Sequence, residues 1–277
     1  AVTDIADYAL ASLDESRVRT VWLLGRRGPV QAKFSTPEIR ELGEMVDAEA
    51  SVPAADLELD EYSRAELEAL PENDEAWRNF RALSELRDRR EPHKSRKLIL
   101  RFLASPVEVI GDGAGRAAGL RIVRNRLERG PDGALSPRPT GQEEVLPAGL
   151  IFRSVGYKGV AQPGLPFDER RGVIPNDRGR VYDPATKEPV AGLYAAGWIK
   201  RGPSGLIGSN KACARETVER MVEDLGAGRT PEAAEPSPDS VDALLKDRGV
   251  RYFTYRDWLK IYAYEVARGA EQGRPRV

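Results

Sequence analysis

Two neighbouring arginines, Arg26 and Arg27, stand between glycines in Gly25-Arg26-Arg27-Gly28, directly after the apolar run Val21-Trp22-Leu23-Leu24. Such a run reads as a strand, and in a doubly wound sheet the carboxyl end of a strand is where nucleotides are held. At the end of the second strand of a dinucleotide fold an acid would bond a ribose 2′-hydroxyl, whereas guanidinium forks suit a 2′-phosphate. The pair therefore reads either as a grip on NADP or as a solvated basic turn closing a strand.

The run Gly197-Trp198-Ile199-Lys200-Arg201-Gly202-Pro203-Ser204-Gly205-Leu206-Ile207-Gly208 precedes a predicted helix from Ser209 to about Leu225. Glycines there let backbone N–H groups and the positive helix end approach an anion or a negatively polarised ring, and Trp198 offers an aromatic face. A flavin would be tuned by such a helix end. The plainer reading is a capped helix after a turn, with Trp198 filling core.

Charge is distributed unevenly. Residues 41–75 hold thirteen acidic residues against Arg64 alone, and residues 87–101 reverse the sign, with Arg87, Arg89, Arg90, Lys94, Arg96, Lys97 and Arg101 opposing Asp88 and Glu91. A charged helix is the predicted carrier of the basic stretch. It reads as a solvated face, a docking surface for an acidic protein, or a nucleic-acid patch; the acidic surroundings and the lack of interleaved aromatics disfavour the last. His93 reads as surface or packing, and Cys213, with no second cysteine or nearby base, as an inert packed thiol.

The elements that must position these groups follow from periodicity. Residues 4–15 predict a short helix capped by Thr3 or Asp4, and Val18 to Leu24 a buried strand. Ser35-Thr36-Pro37-Glu38 carries a helix start with proline in the first turn. Leu98–Phe102, Val107–Ile110, Leu120–Val123 and Leu146–Phe152 predict a small sheet of hairpins, with Gly111 to Gly115 as a turn rather than a phosphate loop because no helix follows it. Beyond Tyr157 the chain turns Gly- and Pro-rich, which suggests a boundary near residue 158. A strand at Gly192–Ala196, the helix from Ser209, a linker at 226–240 and one or two terminal helices rich in aromatics complete the reading.

Composition bounds the rest. At 277 residues, with 40% hydrophobic and 31% charged residues, the chain has the make-up of a globular protein, and no apolar run reaches the roughly 18 residues of a membrane span. The net charge of −1 names no polyanionic partner, one cysteine excludes an internal disulfide, and one histidine leaves structural zinc without its usual ligands. A cytoplasmic location is the expectation. Hydrolytic motifs are missing.

Taken in order, these segments resemble the adrenodoxin-reductase-like ferredoxin-NADP reductases, flavoproteins that pass electrons between NADPH and a small iron-sulfur protein. The resemblance rests on Thr3-Asp4-Ile5-Ala6-Asp7, the Gly25 to Pro29 turn with Gln31-Ala32-Lys33-Phe34 and Glu38 to Leu42, and Arg101-Phe102-Leu103-Ala104-Ser105-Pro106. It continues through Ser154-Val155-Gly156-Tyr157, Gly164 to Asp168, Gly197 to Gly205, and the ending Arg268-Gly269-Ala270 with Gly273-Arg274-Pro275-Arg276.

The resemblance implies FAD and NADP as cofactors and ferredoxin as partner. It implies that Arg26 and Arg27 grip the 2′-phosphate, that Glu38 makes a further NADP contact, and that Trp198, Gly205, Leu206 and Ile207 line the isoalloxazine, with Gly205 also on the nicotinamide side. Arg89, Arg90, Lys94, Arg96 and Lys97 would face an acidic ferredoxin. The implied fold class is α/β: a Rossmann-like NADP-binding domain with a small β-hairpin sheet over 1–158, then the C-terminal lobe of an FAD-binding domain, of three-layer ββα type, over 159–277. The family's G-x-G-x-x-G turn for the FAD pyrophosphate and its second glycine turn are not found here, so an N-terminal half lying outside this sequence, with weak or no FAD retention by the chain alone, is the expectation. The alternative is a non-catalytic ferredoxin-docking or NADP-binding module.

Overall fold

The computed structural model describes residues 3–88, 94–131, 133–205 and 207–277. It divides into two compact units, one formed by residues 1–152 and 264–277 and the other by residues 153–263. The architecture is mixed α/β with three small sheets.

In the first unit the helix α1 (Asp7–Asp14) starts after Ala6. It does not start at Thr3 or Asp4, because those two residues are held from outside the helix: Arg274 donates to the Thr3 carbonyl at 3.0 Å and Arg276 to the Asp4 carboxylate at 2.9 Å. The strand β1 (Thr20–Leu24) follows. It is not the buried strand expected, since Val21 and Leu23 are exposed on an edge of the sheet. The helix α2 (Thr36–Gly43) begins where the Ser-Thr-Pro-Glu pattern predicts.

The strand β2 (Ala48–Ser51) and the helices α3 (Glu61–Glu68) and α4 (Glu75–Asp88) disperse the acidic run over several elements. The Asp60 carboxylate caps α3 by accepting from the Ser63 N–H at 2.7 Å. The strand β3 (Arg96–Arg101) then enters between β1 and β2, giving a parallel sheet in the order β1-β3-β2. Ile39, Leu83, Leu86, Leu100 and Phe102 pack into one core cluster on it.

Two expectations fail at β3. Lys94, Arg96 and Lys97 are not helical, because the Lys97-Leu98-Ile99-Leu100 segment pairs with β1 through Thr20↔Lys97 to Leu24↔Arg101 and spends its backbone bonds there. For the same reason this strand belongs to the parallel sheet and not to the hairpins.

The hairpin sheet is built from β4 (Ala104–Gly111), β5 (Ala117–Arg129) and β6 (Leu135–Pro147), antiparallel in that order. Asp112 closes the β4–β5 turn by accepting from the Ala114 and Arg116 N–H groups at 2.7 and 3.1 Å, so Gly111 to Gly115 is a turn as expected. The third strand is much longer than the sequence suggested and ends at Pro147. Pro137 and Pro139 conceal it in the sequence, yet an edge strand tolerates residues without an N–H donor. Ala104, Ile122 and Leu146 bury its inner face together with Trp22 and Leu24.

The second unit carries a small antiparallel sheet of β7 (Asn176–Asp177), β8 (Arg180–Tyr182) and β9 (Pro189–Tyr194). The one-turn helix α5 (Trp198–Arg201), the long helix α6 (Ile207–Gly226) and α7 (Pro238–Asp247) follow, the last starting inside the expected linker. Its core gathers Ile174, Val181 and Ala195 with Leu165, Phe167, Leu193 and Ile199. The final helix α8 spans Tyr255–Glu271. None of the described helices is long and apolar enough to cross a membrane.

Candidate functional site

The arginine turn is fixed by its backbone. All three carbonyls of Gly25-Arg26-Arg27 accept hydrogen bonds: Gly25 O from the Ala104 N–H at 3.0 Å, Arg26 O from the Asn125 side-chain amide at 2.8 Å, and Arg27 O from the Leu103 N–H at 3.0 Å. Gly25 N–H in turn donates to Arg101 O at 2.8 Å. Neither the Arg26 nor the Arg27 guanidinium has a hydrogen-bond or ion-pair partner among the described residues, and Arg26 is exposed. A rigid backbone with two free forked donors at the carboxyl end of a parallel strand is organised to receive an anion.

Arg101 lies at the same end of the sheet but is not available. Its guanidinium bonds the Asp56 carboxylate at 3.0 Å and Glu144 at 3.1 Å. Asp56, whose side chain is 1% exposed, also takes Arg124 at 2.8 Å and the Phe102 N–H at 2.9 Å. This buried carboxylate links the parallel sheet to the hairpin sheet and holds the Phe102–Ala104 segment that supports the arginine turn.

Glu38 is committed locally. Its carboxylate accepts from both the backbone N–H and the hydroxyl of Ser35, at 2.8 and 2.7 Å, and these bonds hold it below the usual carboxylate range. At the opposite end of the sheet, Arg96 and Lys97 are exposed, while Lys94 Nζ donates to Met45 O at 2.6 Å. The register steps from Leu24↔Arg101 to Thr20↔Lys97 put about 13 Å of strand between the two ends. Arg89, Arg90 and His93 lie outside the described residues.

In the second unit Trp198 opens α5 and is 45% exposed. Tyr157 stacks on it with centroids 5.8 Å apart at an interplanar angle of 28°. Trp198 is thus a surface ring and not core filling. The loop ahead of α6 is tied down by Arg201, which donates to Ser204 O at 2.8 Å and to Asn210 Oδ1 at 2.9 Å. Gly205, at φ 79°, permits this conformation, and a side chain there would collide with Ser209. Leu206 and the side chain of Ile207 lie outside the described residues.

Behind the loop, Lys200 is buried and donates to Glu216 at 2.6 Å, Thr217 at 3.1 Å and Cys213 O at 3.3 Å, which pins α5 to α6. The Cys213 sulfur accepts from Gly197 N–H at 3.3 Å, a packing role as expected. Among the described residues no group of His, Cys, Asp and Glu is arranged to hold a metal ion.

No family model matches the chain. Over 99% of its length, however, it is 40% identical to the human protein named NADPH:adrenodoxin oxidoreductase, mitochondrial, and 38% identical to NADPH-ferredoxin reductase FprA of Mycobacterium tuberculosis. The solved structure of M. tuberculosis FprA in complex with NADPH superposes with a TM-score of 0.85 at 37% identity, again over 99% of this chain. The chain is a partial-length homologue of the adrenodoxin-reductase-like ferredoxin-NADP reductases. It spans 55% of the human relative, 59% of the mycobacterial one and 58% of the solved chain.

For a homologue of these reductases the residues that sequence reasoning missed are those beneath the arginine turn. Leu103 is a buried non-glycine residue at φ 52°, and Asn125 sits on β5 where the pairing with β6 shifts between Val123 and Asn125. Asparagine is depleted in strands, so Asn125 in an apolar-periodic segment was the one available signal.

Proposed function

We propose that the chain supplies the NADPH-gripping and flavin-facing parts of an FAD-dependent ferredoxin-NADP reductase. The observation that carries this reading is the arginine turn: two unpaired guanidiniums on a backbone whose every carbonyl is already bound, in a homologue of proteins named for NADPH. Arg26 and Arg27 fit a dianionic 2′-phosphate, being free, adjacent and exposed to solvent on at least one side.

The flavin-facing side fits an aromatic cofactor in the second unit. A half-exposed Trp198 ring, Gly205 without a side chain, and the start of α6 offer a flat face, close backbone approach and a positive helix end. When bound, FAD supplies the exchange between a hydride and single electrons. The chain's own contribution is to orient and to exclude solvent: Lys200 and Arg201 fix the α5 turn, and Trp198 is held by stacking against Tyr157. Arg96 and Lys97, exposed at the far end of the parallel sheet, are a basic approach for an acidic ferredoxin, which steers encounter more than it adds affinity. Residues 1–158 are read as the NADP-binding domain and 159–277 as the C-terminal lobe of the FAD domain. A cytoplasmic location belongs to the same proposal. The alternative of a non-catalytic module draws no support from relatives that are both named as reductases.

The test is a titration of the chain with 2′,5′-ADP and with 5′-AMP. The parent binds the first more tightly, and the Arg26→Ala, Arg27→Ala double variant loses that preference by at least about tenfold, as expected from removal of charge-assisted bonds. An unchanged preference overturns the assignment.

A further inference from the structure

Asn125 is buried, with 3% of its surface exposed, and its side chain is used asymmetrically. Its Nδ2 donates twice, to Arg26 O and to Ser105 Oγ, each at 2.8 Å. Its Oδ1 is buried without a hydrogen-bond partner. A buried unsatisfied acceptor is costly, and an apolar residue of similar size would avoid that cost. Only the amide donor justifies asparagine at this position.

The backbone of Asn125 enters the same arrangement. Its N–H donates to Leu103 O at 2.7 Å, and Leu103, held at φ 52°, turns its own N–H onto Arg27 O. A left-handed leucine is unfavourable and persists where its surroundings impose it, often beside a functional site. The irregular register of β5 at this point aims the Asn125 side chain, as bulges do. One residue therefore governs both arginine carbonyls, Arg26 O directly and Arg27 O through Leu103.

We propose that Asn125 is a positioning residue for nucleotide selectivity, setting the backbone from which Arg26 and Arg27 reach the 2′-phosphate. The inference rests on the reading of the arginine pair given above. Asn125 touches no nucleotide; it acts through the turn. Its removal lets the turn relax, so the two guanidiniums no longer converge on one phosphate while the remainder of the nucleotide site is unaltered.

The experiment measures the ratio of affinities for 2′,5′-ADP and 5′-AMP in the whole chain, for Asn125→Ala, for Ser105→Ala and for the arginine double variant, with circular dichroism to establish folding. Ser105→Ala removes one acceptor of the amide at a half-buried site, and decides the matter should Asn125→Ala not fold. The expected result is a ratio about fivefold to tenfold lower in Asn125→Ala and less reduced in Ser105→Ala, with 5′-AMP affinity unchanged; a 1 Å misplacement costs up to about a hundredfold. A purely structural role would weaken both ligands equally, and that outcome overturns the proposal. So does an unchanged ratio in the folded variants when the arginine double variant has lost its preference, which leaves the arginine reading standing. An unchanged ratio in the double variant itself overturns that reading and this proposal together.

Discussion

Asn125 and Arg26 stand 99 residues apart in the chain, and the amide of one donates to the carbonyl of the other at 2.8 Å. The bond joins the hairpin sheet to the end of β1, so the sheet that carries no candidate ligand group is what shapes the turn that does. Binding at such a turn gains from rigidity, because the ordering of the backbone is complete before a ligand arrives.

The same junction has an ionic component whose parts are unequal. Asp56→Ala leaves Arg101 and Arg124 facing an empty buried site and is expected to cost on the order of 3 kcal/mol in urea unfolding, as for breaking a buried pair. Glu144→Ala removes a partner whose side chain is half exposed and is expected to cost under about 1 kcal/mol. Equal costs would show that Asp56 is not the anchor.

Glu38 separates a capping role from a ligand role. Ser35→Ala is expected to lower stability by about 1 kcal/mol through loss of the helix start. Glu38→Gln keeps an acceptor for Ser35 and changes stability little. A fall in 2′,5′-ADP affinity in Glu38→Gln, measured by titration, would then mark a nucleotide contact, and no fall would assign Glu38 to the cap alone.

Acid stability is expected to depend on Asp224. Its carboxylate bonds Arg180 at 2.7 Å, Tyr194 at 2.8 Å and Arg229 at 2.9 Å, and the Arg180 bond above all, opposed by burial, holds it well below the ordinary value of 3.8. A carboxylate depressed in the folded state stabilises above its unfolded pKa and loses that contribution as pH falls through the folded value. The parent should therefore lose stability progressively below about pH 4. Asp224→Asn should be less stable at pH 7 and show a flatter acid limb in thermal melts recorded from pH 2 to 7.

The two ends of the chain are expected to stabilise each other. Arg274, with a side chain 4% exposed, bonds Thr3 O, Asp7 and the Ile5 carbonyl. Arg274→Ala is expected to cost about 2 kcal/mol, since the charge-assisted bonds from one buried guanidinium to Thr3 O, Ile5 O and Asp7 are all lost. Amide hydrogen exchange in α1 should accelerate while the parallel sheet stays protected; uniform acceleration would contradict a local tether.

Much of the first unit was legible from local rules. Ser35, Pro37 and Glu38 announce α2 because capping and proline placement act over four residues, and Gly111 to Gly115 reads as a turn because glycine and aspartate close it within the same span. Arg26 and Arg27 could be nominated because a polar pair after an apolar run marks a strand end. The resemblance to reductases was legible for the same reason: it lies in short contiguous runs.

What the sequence concealed is long-range. Arg96 and Lys97 carry helix-like charge density, yet pairing with β1 makes them strand, and β6 is obscured by prolines that only an edge position tolerates. Whether Thr3 and Asp4 cap a helix or bind Arg274 and Arg276 depends on residues about 270 positions away. Local pattern determined the start of α2, the turn at Gly111 to Gly115, the nomination of Arg26 and Arg27, and the family likeness. Tertiary structure alone decided that Asn125 and Leu103 support those arginines, because a hydrogen bond between distant residues has no periodicity by which a sequence could reveal it.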